Sequence, residues 1–261
     1  MHLSRQVAEV YEAFFVPALF GAWPERVVAA AHVQAGQQVL DVACGTGVLA
    51  RTAAEYVGPQ GKVTGLDLND GMLEVARQKA PAIAWHQGHA EALPFNDNAF
   101  DLVVSQFGVM FFQDRVRAIQ EMVRVLRPGG TLAIAVWDTL DNTPGYAAVV
   151  KLLTRLFGAE AAEGLRAPYC LGNKQLLSNL LNAAGLPDAS MQTQDGTARF
   201  PSIRSWMYTD INGWVLANTL NDQQFAHLVA AAEHELQPFV MADGSVAFRA
   251  PAHIITLMNA A

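Results

Sequence analysis

Apolar and polar positions along the chain follow two periods, and the switch between them marks out the elements. The first 37 residues keep a helical period. Val7, Val10, Tyr11, Phe14 and Phe15 recur at three- and four-residue steps, Pro17 breaks the segment, and Leu19-Phe20 and Trp23-Pro24 lead into a second helix over residues 25–31. From residue 38 short apolar runs alternate with helical stretches. Val39, Leu40 and Val42 read as a buried strand that breaks into Gly45-Thr46-Gly47. A helical face follows (Val48, Leu49, Ala50, Ala53, Ala54, Val57), and Gly58-Pro59 ends it. Val63-Thr64-Gly65-Leu66 is a second strand, closed by Asp67. Asn69-Asp70 then caps a helix carrying Met72, Val75, Ala76 and Lys79, which Pro81 stops. Residues 83–86 and 100–105 are the third and fourth strands. Asp114 caps a helix with Val116, Ile119, Val123 and Leu126 on one face, and Arg127-Pro128-Gly129-Gly130 ends it and feeds a fifth strand over 131–137. Strands alternating with helices in this way predict a doubly wound, mostly parallel α/β sheet.

Beyond Asp138 the pattern is less regular. Residues 141–145 form a turn, 146–157 a helix and 158–172 a loop-rich insertion; residues 174–184 form another helix, ended by Gly185 and Pro187. Residues 190–199 and 253–258 are the expected sixth and seventh strands, and helices over 203–216 and 222–236 lie between them as a cap. No repeat, low-complexity tract or linker interrupts the 261 residues.

Composition narrows the function. The chain is 52% hydrophobic and 16% charged, ample for the core of one large α/β domain. A net charge of −7 with no basic cluster argues against a nucleic-acid partner. Cys44 and Cys170 imply no disulfide framework, and Cys44 sits in the glycine turn, where a small residue is wanted. No His/Cys/Asp/Glu set has metal-ligand spacing, so no metal is expected. There is no signal-like segment and no apolar run of about 18 residues, so a soluble, cytoplasmic protein without a membrane span is expected.

The chemistry centres on residues 38–47, QVLDVACGTG. A strand, a tight glycine turn and a helix place a nucleotide at the carboxyl end of a parallel strand, where glycines admit a close backbone approach and the helix N-terminus offers free N–H groups. Asp67, twenty residues beyond Gly47, is placed to reach ribose hydroxyls. Gly45-Thr46-Gly47-Val48-Leu49-Ala50 also fits the dinucleotide pattern G-x-G-x-x-A. Asp41, inside the strand, separates the readings: a carboxylate there repels a pyrophosphate and welcomes the ammonium of an amino acid. A nucleoside with a cationic amino-acid tail is S-adenosylmethionine, and the stretch resembles motif I of class I methyltransferases, D-x-x-C-G-T-G.

Further segments carry the same likeness. Gly88-His89-Ala90-Glu91-Ala92-Leu93-Pro94-Phe95 resembles the G-D-A-E-x-L-P-F segment of the small-molecule methyltransferases that include the quinone-biosynthesis enzymes, with His89 in place of the family's acid. Leu126-Arg127-Pro128-Gly129-Gly130 before an apolar strand resembles a second hallmark, and the likeness covers about residues 36–138. It implies a Rossmann-like seven-stranded sheet with helices on both faces and an inserted helical cap. The single domain, 1–261, then divides into an N-terminal helical lid (1–35), a cofactor-binding core (36–138) and a cap with the last strands (139–261).

The likeness implies that S-adenosylmethionine is held at Asp41, Ala43, Gly45, Thr46 and Gly47 of motif I, and at Asp67. Leu68 and Met72 would wall the adenine. His89, or the Ala90 backbone, would read its edge, with Glu91 beside them. Ser105, Gln106 and Phe107 close the fourth strand, and Tyr11 and Phe20 of the lid would lie over the cofactor, with Trp23 a further candidate. The activity implied is in-line methyl transfer to a small acceptor. Phe107, Met110, Phe111, Phe112 and Trp137 near the strand ends make that acceptor apolar or aromatic. Transfer needs a base only if the acceptor loses a proton, and Tyr11, Gln106, Trp137 and Asp138 are the candidates. Two other readings stand beside this one: a non-catalytic binder of the same cofactor, and a nicotinamide-dependent oxidoreductase, which Asp41 disfavours.

Overall fold

The computed structural model describes residues 4–213 and 220–259. The chain opens with α1 (Arg5–Val10), a π-helical segment (Tyr11–Phe20) and α2 (Pro24–Ala31). The alternating core follows: β1 (Gln38–Val42), α3 (Val48–Val57), β2 (Lys62–Asp67), α4 (Asp70–Lys79), β3 (Ala84–Gln87), β4 (Phe100–Gln106), α5 (Arg115–Val125) and β5 (Leu126–Trp137). The second half holds α6 (Pro144–Phe157), α7 (Ala159–Arg166), α8 (Lys174–Ala183), β6 (Ser190–Gln194), β7 (Thr197–Phe200), α9 (Ile203–Asn212), α10 (Asp222–Glu235), β8 (Val246–Arg249) and β9 (Ala252–Met258).

Seven strands form one sheet in the order β3-β2-β1-β4-β5-β9-β6. β1 to β5 run parallel, and β9 is antiparallel to both its neighbours. The chain winds outward from β1 in one direction and from β4 in the other, so right-handed crossovers put α3 and α5 on opposite faces. β1 is covered on both sides, which is why Val39, Leu40 and Val42 form an unbroken apolar run with Asp41 the exception. The sheet order reverses between β1 and β4, whose carboxyl ends open together.

Three expectations are corrected. Pro17 does not break the N-terminal helix. Tyr11–Phe20 continues α1 as a π-helical stretch with Pro17 inside it, and Gly21 N–H closes on Val16 O at 2.6 Å. The wider turn relieves the clash a proline ring makes with the preceding turn of an α-helix. The insertion 158–172 is not loop-rich: Ala162 and Leu165 bury one face of α7, and a 3₁₀ turn (Ala167–Tyr169) follows. Residues 190–199 are two strands in two sheets. The break falls at Gly196, where a Cβ would lie 2.4 Å from the Ala250 carbonyl and 2.5 Å from Trp23. β6 stays in the main sheet, and β7 pairs with β8, a strand the period did not reveal. The helix expected over 203–216 is described to Asn212; its expected end at residues 214–216 lies outside the described residues.

Candidate functional site

The carboxyl ends of β1 and β4 are held in an uncommon backbone geometry. Ala43, just past β1, and Phe107, just past β4, both have positive φ, 59° and 56°. For residues with a Cβ this conformation is strained, and such strain gathers at binding sites. The turns meet at Gly108, where a Cβ would lie 2.5 Å from that of Ala43.

Asp67 holds the glycine loop. Its Oδ2 accepts the Gly45 N–H at 2.8 Å and its Oδ1 accepts the Asn69 N–H, also at 2.8 Å. Burial pushes this carboxyl up, and the backbone hydrogen bonds oppose that rise. Gly47 needs its glycine twice over: φ is 84°, and a Cβ would sit 2.3 Å from the Trp85 ring beneath it.

Asp41 is the unusual group. It pairs in register with Gly65 and Val104, is 1% exposed, and neither carboxylate oxygen has a hydrogen-bond partner of normal geometry. Burial pushes the carboxyl well above the usual range; the nearby Ala50 amide opposes this and the Asp67 charge adds to it. The hydroxyls of Thr46, in the glycine loop after β1, and Ser105, near the end of β4, are also buried without partners. Buried polar groups are nearly always paired, so three orphans on β1, its loop and the neighbouring β4 fit a place built for a polar ligand.

The N-terminal segment covers this opening. Ala8 packs with Met72 and Val75 of α4, with Tyr11 against them. Arg51 of α3 donates to the Thr46 carbonyl at 2.5 Å and to Glu12 Oε1 at 2.9 Å, and Lys79 pairs with the same oxygen at 3.2 Å. The ion pairs thus tie the lid to both helices beside the glycine loop. Gln106 adds a hydrogen bond from its Nε2 to the Phe20 carbonyl at 3.4 Å. The half-buried Tyr11 ring stacks on Phe20 at 5.1 Å, and burial together with Glu12, Asp67 and Asp41 raises its phenol far above the ordinary value. Phe20 and Trp23 are fully buried and pack with Phe107 and Trp137, so their rings belong to the core beneath the lid.

The remaining expected residues divide. Leu68 is 47% exposed at the rim and Met72 is buried below it. Ala90 is buried while the His89 side chain faces solvent. Glu91 accepts the Gln113 N–H at 3.1 Å. Asp138 is occupied: it accepts from Thr139 N–H and Asn142 Nδ2, and the buried His253 ring lies 3.4 Å away. That engagement makes it a structural link at the end of β5, where a base had been a candidate. The Leu93-Pro94-Phe95 stretch has a structural reason as well. Buried Glu121 accepts the Leu93 N–H, and Arg124 donates to the Leu93 and Phe95 carbonyls. The pairing with Arg124 holds the Glu121 carboxyl below its usual range. Sequence reading missed Tyr146 and Asp210, which a cavity beside the lid brings together with Tyr169; only a buried acid on an otherwise apolar helix face could have pointed to them.

A family model described as a methyltransferase domain matches residues 39–130, the span from β1 to the entry of β5. A demethylmenaquinone methyltransferase of Listeria welshimeri is 41% identical over 129 residues, 48% of this chain and 54% of that protein, so the chain aligns with about half the length of this relative. A demethylmenaquinone methyltransferase of Staphylococcus epidermidis is 34% identical over 188 residues, covering 67% of this chain and 78% of that one. The chain belongs to the class I S-adenosylmethionine-dependent methyltransferases. Among solved structures, Haemonchus contortus phosphoethanolamine N-methyltransferase 2, bound to phosphomonomethylethanolamine and S-adenosylhomocysteine, superposes with a TM-score of 0.62 at 19% identity. That match covers 99% of this chain and 59% of the other, and shows the shared fold. For a methyltransferase of this class the site fits its cofactor: the orphaned Asp41 suits an α-ammonium, and Asp67, anchored by two amides, keeps lone pairs for a ribose diol.

Proposed function

We propose that this chain transfers a methyl group from S-adenosylmethionine to a small apolar or aromatic acceptor, as a cytoplasmic enzyme with no nucleic-acid partner. The observation that carries the reading is Asp41, a buried carboxylate without a partner beside the glycine loop. It binds the ammonium of the cofactor, with the Thr46 and Ser105 hydroxyls available to the amino-acid end. Asp67 takes the ribose hydroxyls, Leu68 and Met72 flank the adenine, and Ala90 reads its edge. Residues 1–35 act as lid, 36–138 as the cofactor core and 139–261 as cap. When bound, the cofactor supplies a methyl group on an electrophilic sulfonium. The chain's own work is then alignment and exclusion of water, which the ion-paired lid and the aromatic cluster provide.

The acceptor class follows from the apolar strand ends and from the relatives, both named as demethylmenaquinone methyltransferases, which make quinol-type rings the first acceptors to test. Among the described residues no helix is long and apolar enough to cross a membrane. Calorimetry with S-adenosylmethionine and NAD, followed by S-adenosylhomocysteine release over quinols, phenols, amines and lipid head groups, tests the reading. Cofactor binding with turnover of a quinol or phenol supports it. NAD binding alone overturns it, and binding with no turnover on any acceptor makes the chain a binder.

A further inference from the structure

A second polar orphan lies on the other side of the lid. Phe15 and Leu19 of the lid, Trp137 at the end of β5, Tyr146 of α6 and Tyr169 line a narrow cavity, and Asp210 of α9 is the carboxyl in its wall. Asp210 is 2% exposed. Its Oδ1 accepts the Tyr146 O–H at 3.3 Å, while its Oδ2 has no partner. The buried Trp206 indole N–H, which has no partner of normal geometry, faces the same carboxyl. No ion pair among the described residues involves Asp210. Burial pushes it well above the usual carboxyl range, with Tyr146 and Trp206 opposing the rise; burial also raises the phenols of Tyr146 and Tyr169, and the Asp210 carboxylate adds to that. Burying a carboxyl with a free oxygen among aromatic rings is costly unless something binds there.

The cavity adjoins the cofactor site through shared parts. Trp137 stacks on Phe107, the strained residue past β4. The Phe15 ring is 5.9 Å from that of Tyr11, whose hydroxyl lies within the influence of Asp41 and Asp67. One lid segment therefore walls both openings.

We propose that this cavity receives the methyl acceptor and that Asp210, held by Tyr146, recognises a hydroxyl group on it. The ligand is a hydroxylated aromatic ring, a phenol or hydroquinone, whose O–H donates to Asp210 Oδ2 while the ring lies among Phe15, Trp137 and Tyr169. The carboxylate accepts and does not donate: Tyr146 O–H is on Oδ1 and the Trp206 N–H faces the group, and the lone pairs that remain suit one further O–H donor. An ammonium would bring further N–H groups into an apolar space with little to receive them. The cavity measures about 20 Å³, room for roughly one water, so entry of a ring displaces the Phe15–Leu19 wall and ties binding to lid movement.

This assignment rests on the proposed methyl transfer, and binding without turnover tests it apart from that reading. The full chain is titrated by calorimetry with 1-naphthol, with 1-methylnaphthalene (the same shape without the O–H), with 1-naphthylmethylamine, and separately with S-adenosylhomocysteine. The wild type is expected to prefer 1-naphthol over 1-methylnaphthalene by roughly tenfold or more. Asp210→Leu removes that preference and leaves affinity for 1-methylnaphthalene and S-adenosylhomocysteine unchanged, and Leu165→Trp, which fills the cavity, weakens both aromatic probes. If Asp210→Leu does not fold, Asp210→Ala carries the test, because it removes both carboxylate oxygens and turns no donor toward the cavity. Undiminished naphthol preference in either variant overturns the assignment, as does an Asp210-dependent preference for the amine. Loss of S-adenosylhomocysteine binding in the wild type instead refutes the cofactor reading and leaves the naphthol result standing.

Discussion

The Phe107 and Trp137 rings lie face to face, their centroids 3.7 Å apart and their planes within 3° of parallel. Phe107 follows β4 in a left-handed backbone conformation, and Trp137 closes the neighbouring β5. Phe20 and Trp23 pack against both rings. The stack thus holds a strained turn in place at the edge of the cofactor opening.

Phe107→Ala is expected to cost about 3–5 kcal/mol in urea unfolding, the usual range for emptying a packed phenylalanine site. Phe107→Gly loses the same ring but sheds the roughly 1–2 kcal/mol penalty of a left-handed residue with a Cβ. It should therefore be the more stable of the two. The reverse order would mean that the backbone there is not strained.

Asp41→Asn is expected to stabilise the ligand-free protein at neutral pH while weakening the cofactor. The carboxyl titrates near 3.9 in an unfolded chain and well above that when folded. Its contribution to stability is full below about pH 4 and is lost as pH rises through the raised folded value. The variant lacks this loss, so its melting temperature should exceed that of the wild type at pH 7–8, with the gap closing toward pH 4. Losing one charge-assisted hydrogen bond should weaken S-adenosylmethionine by about 10- to 100-fold. A variant that binds like the wild type would remove Asp41 from the site.

Asp67→Ala is expected to weaken S-adenosylmethionine by about 30-fold or more, from roughly 2–4 kcal/mol of lost charge-assisted hydrogen bonds. It also releases the Gly45 and Asn69 amides, so faster exchange of those two N–H groups should accompany the loss. Unchanged affinity in calorimetry would sink the ribose assignment.

His89 faces solvent while Ala90 beside it is buried. His89→Ala and His89→Asp should then hold cofactor affinity within about twofold, as surface substitutions usually do. A tenfold change at pH 8 would put the imidazole on the adenine.

Much of this was legible because the cofactor half of the chain is read from local signals. The run Val39–Val42 with an acid inside it, the glycines after it and Asp67 at the next strand end each report their own neighbourhood. The second half depends on distant partners. β7 exists because β8 pairs with it, and a gap between them of more than forty residues hides that from any period. Pro17 misled because the rule that proline ends a helix assumes α geometry, and the π-helical turn gives the ring room. Asp210 went unnoticed because an acid on a short helix looks solvated until Tyr146, Trp206 and the lid close around it.

β9 lies inside the sheet, between β5 and β6, although it comes after both in the chain. His253 ties it down, with one ring nitrogen 2.9 Å from Thr193 Oγ1 and the other 2.8 Å from the Gly172 carbonyl. During synthesis β5 and β6 therefore wait with open edges until residues 252–258 leave the ribosome. Such edges pair readily with other chains, so a ribosome stalled before this strand would display a nearly complete cofactor core beside a sticky, unfinished sheet, the species a chaperone would have to shield.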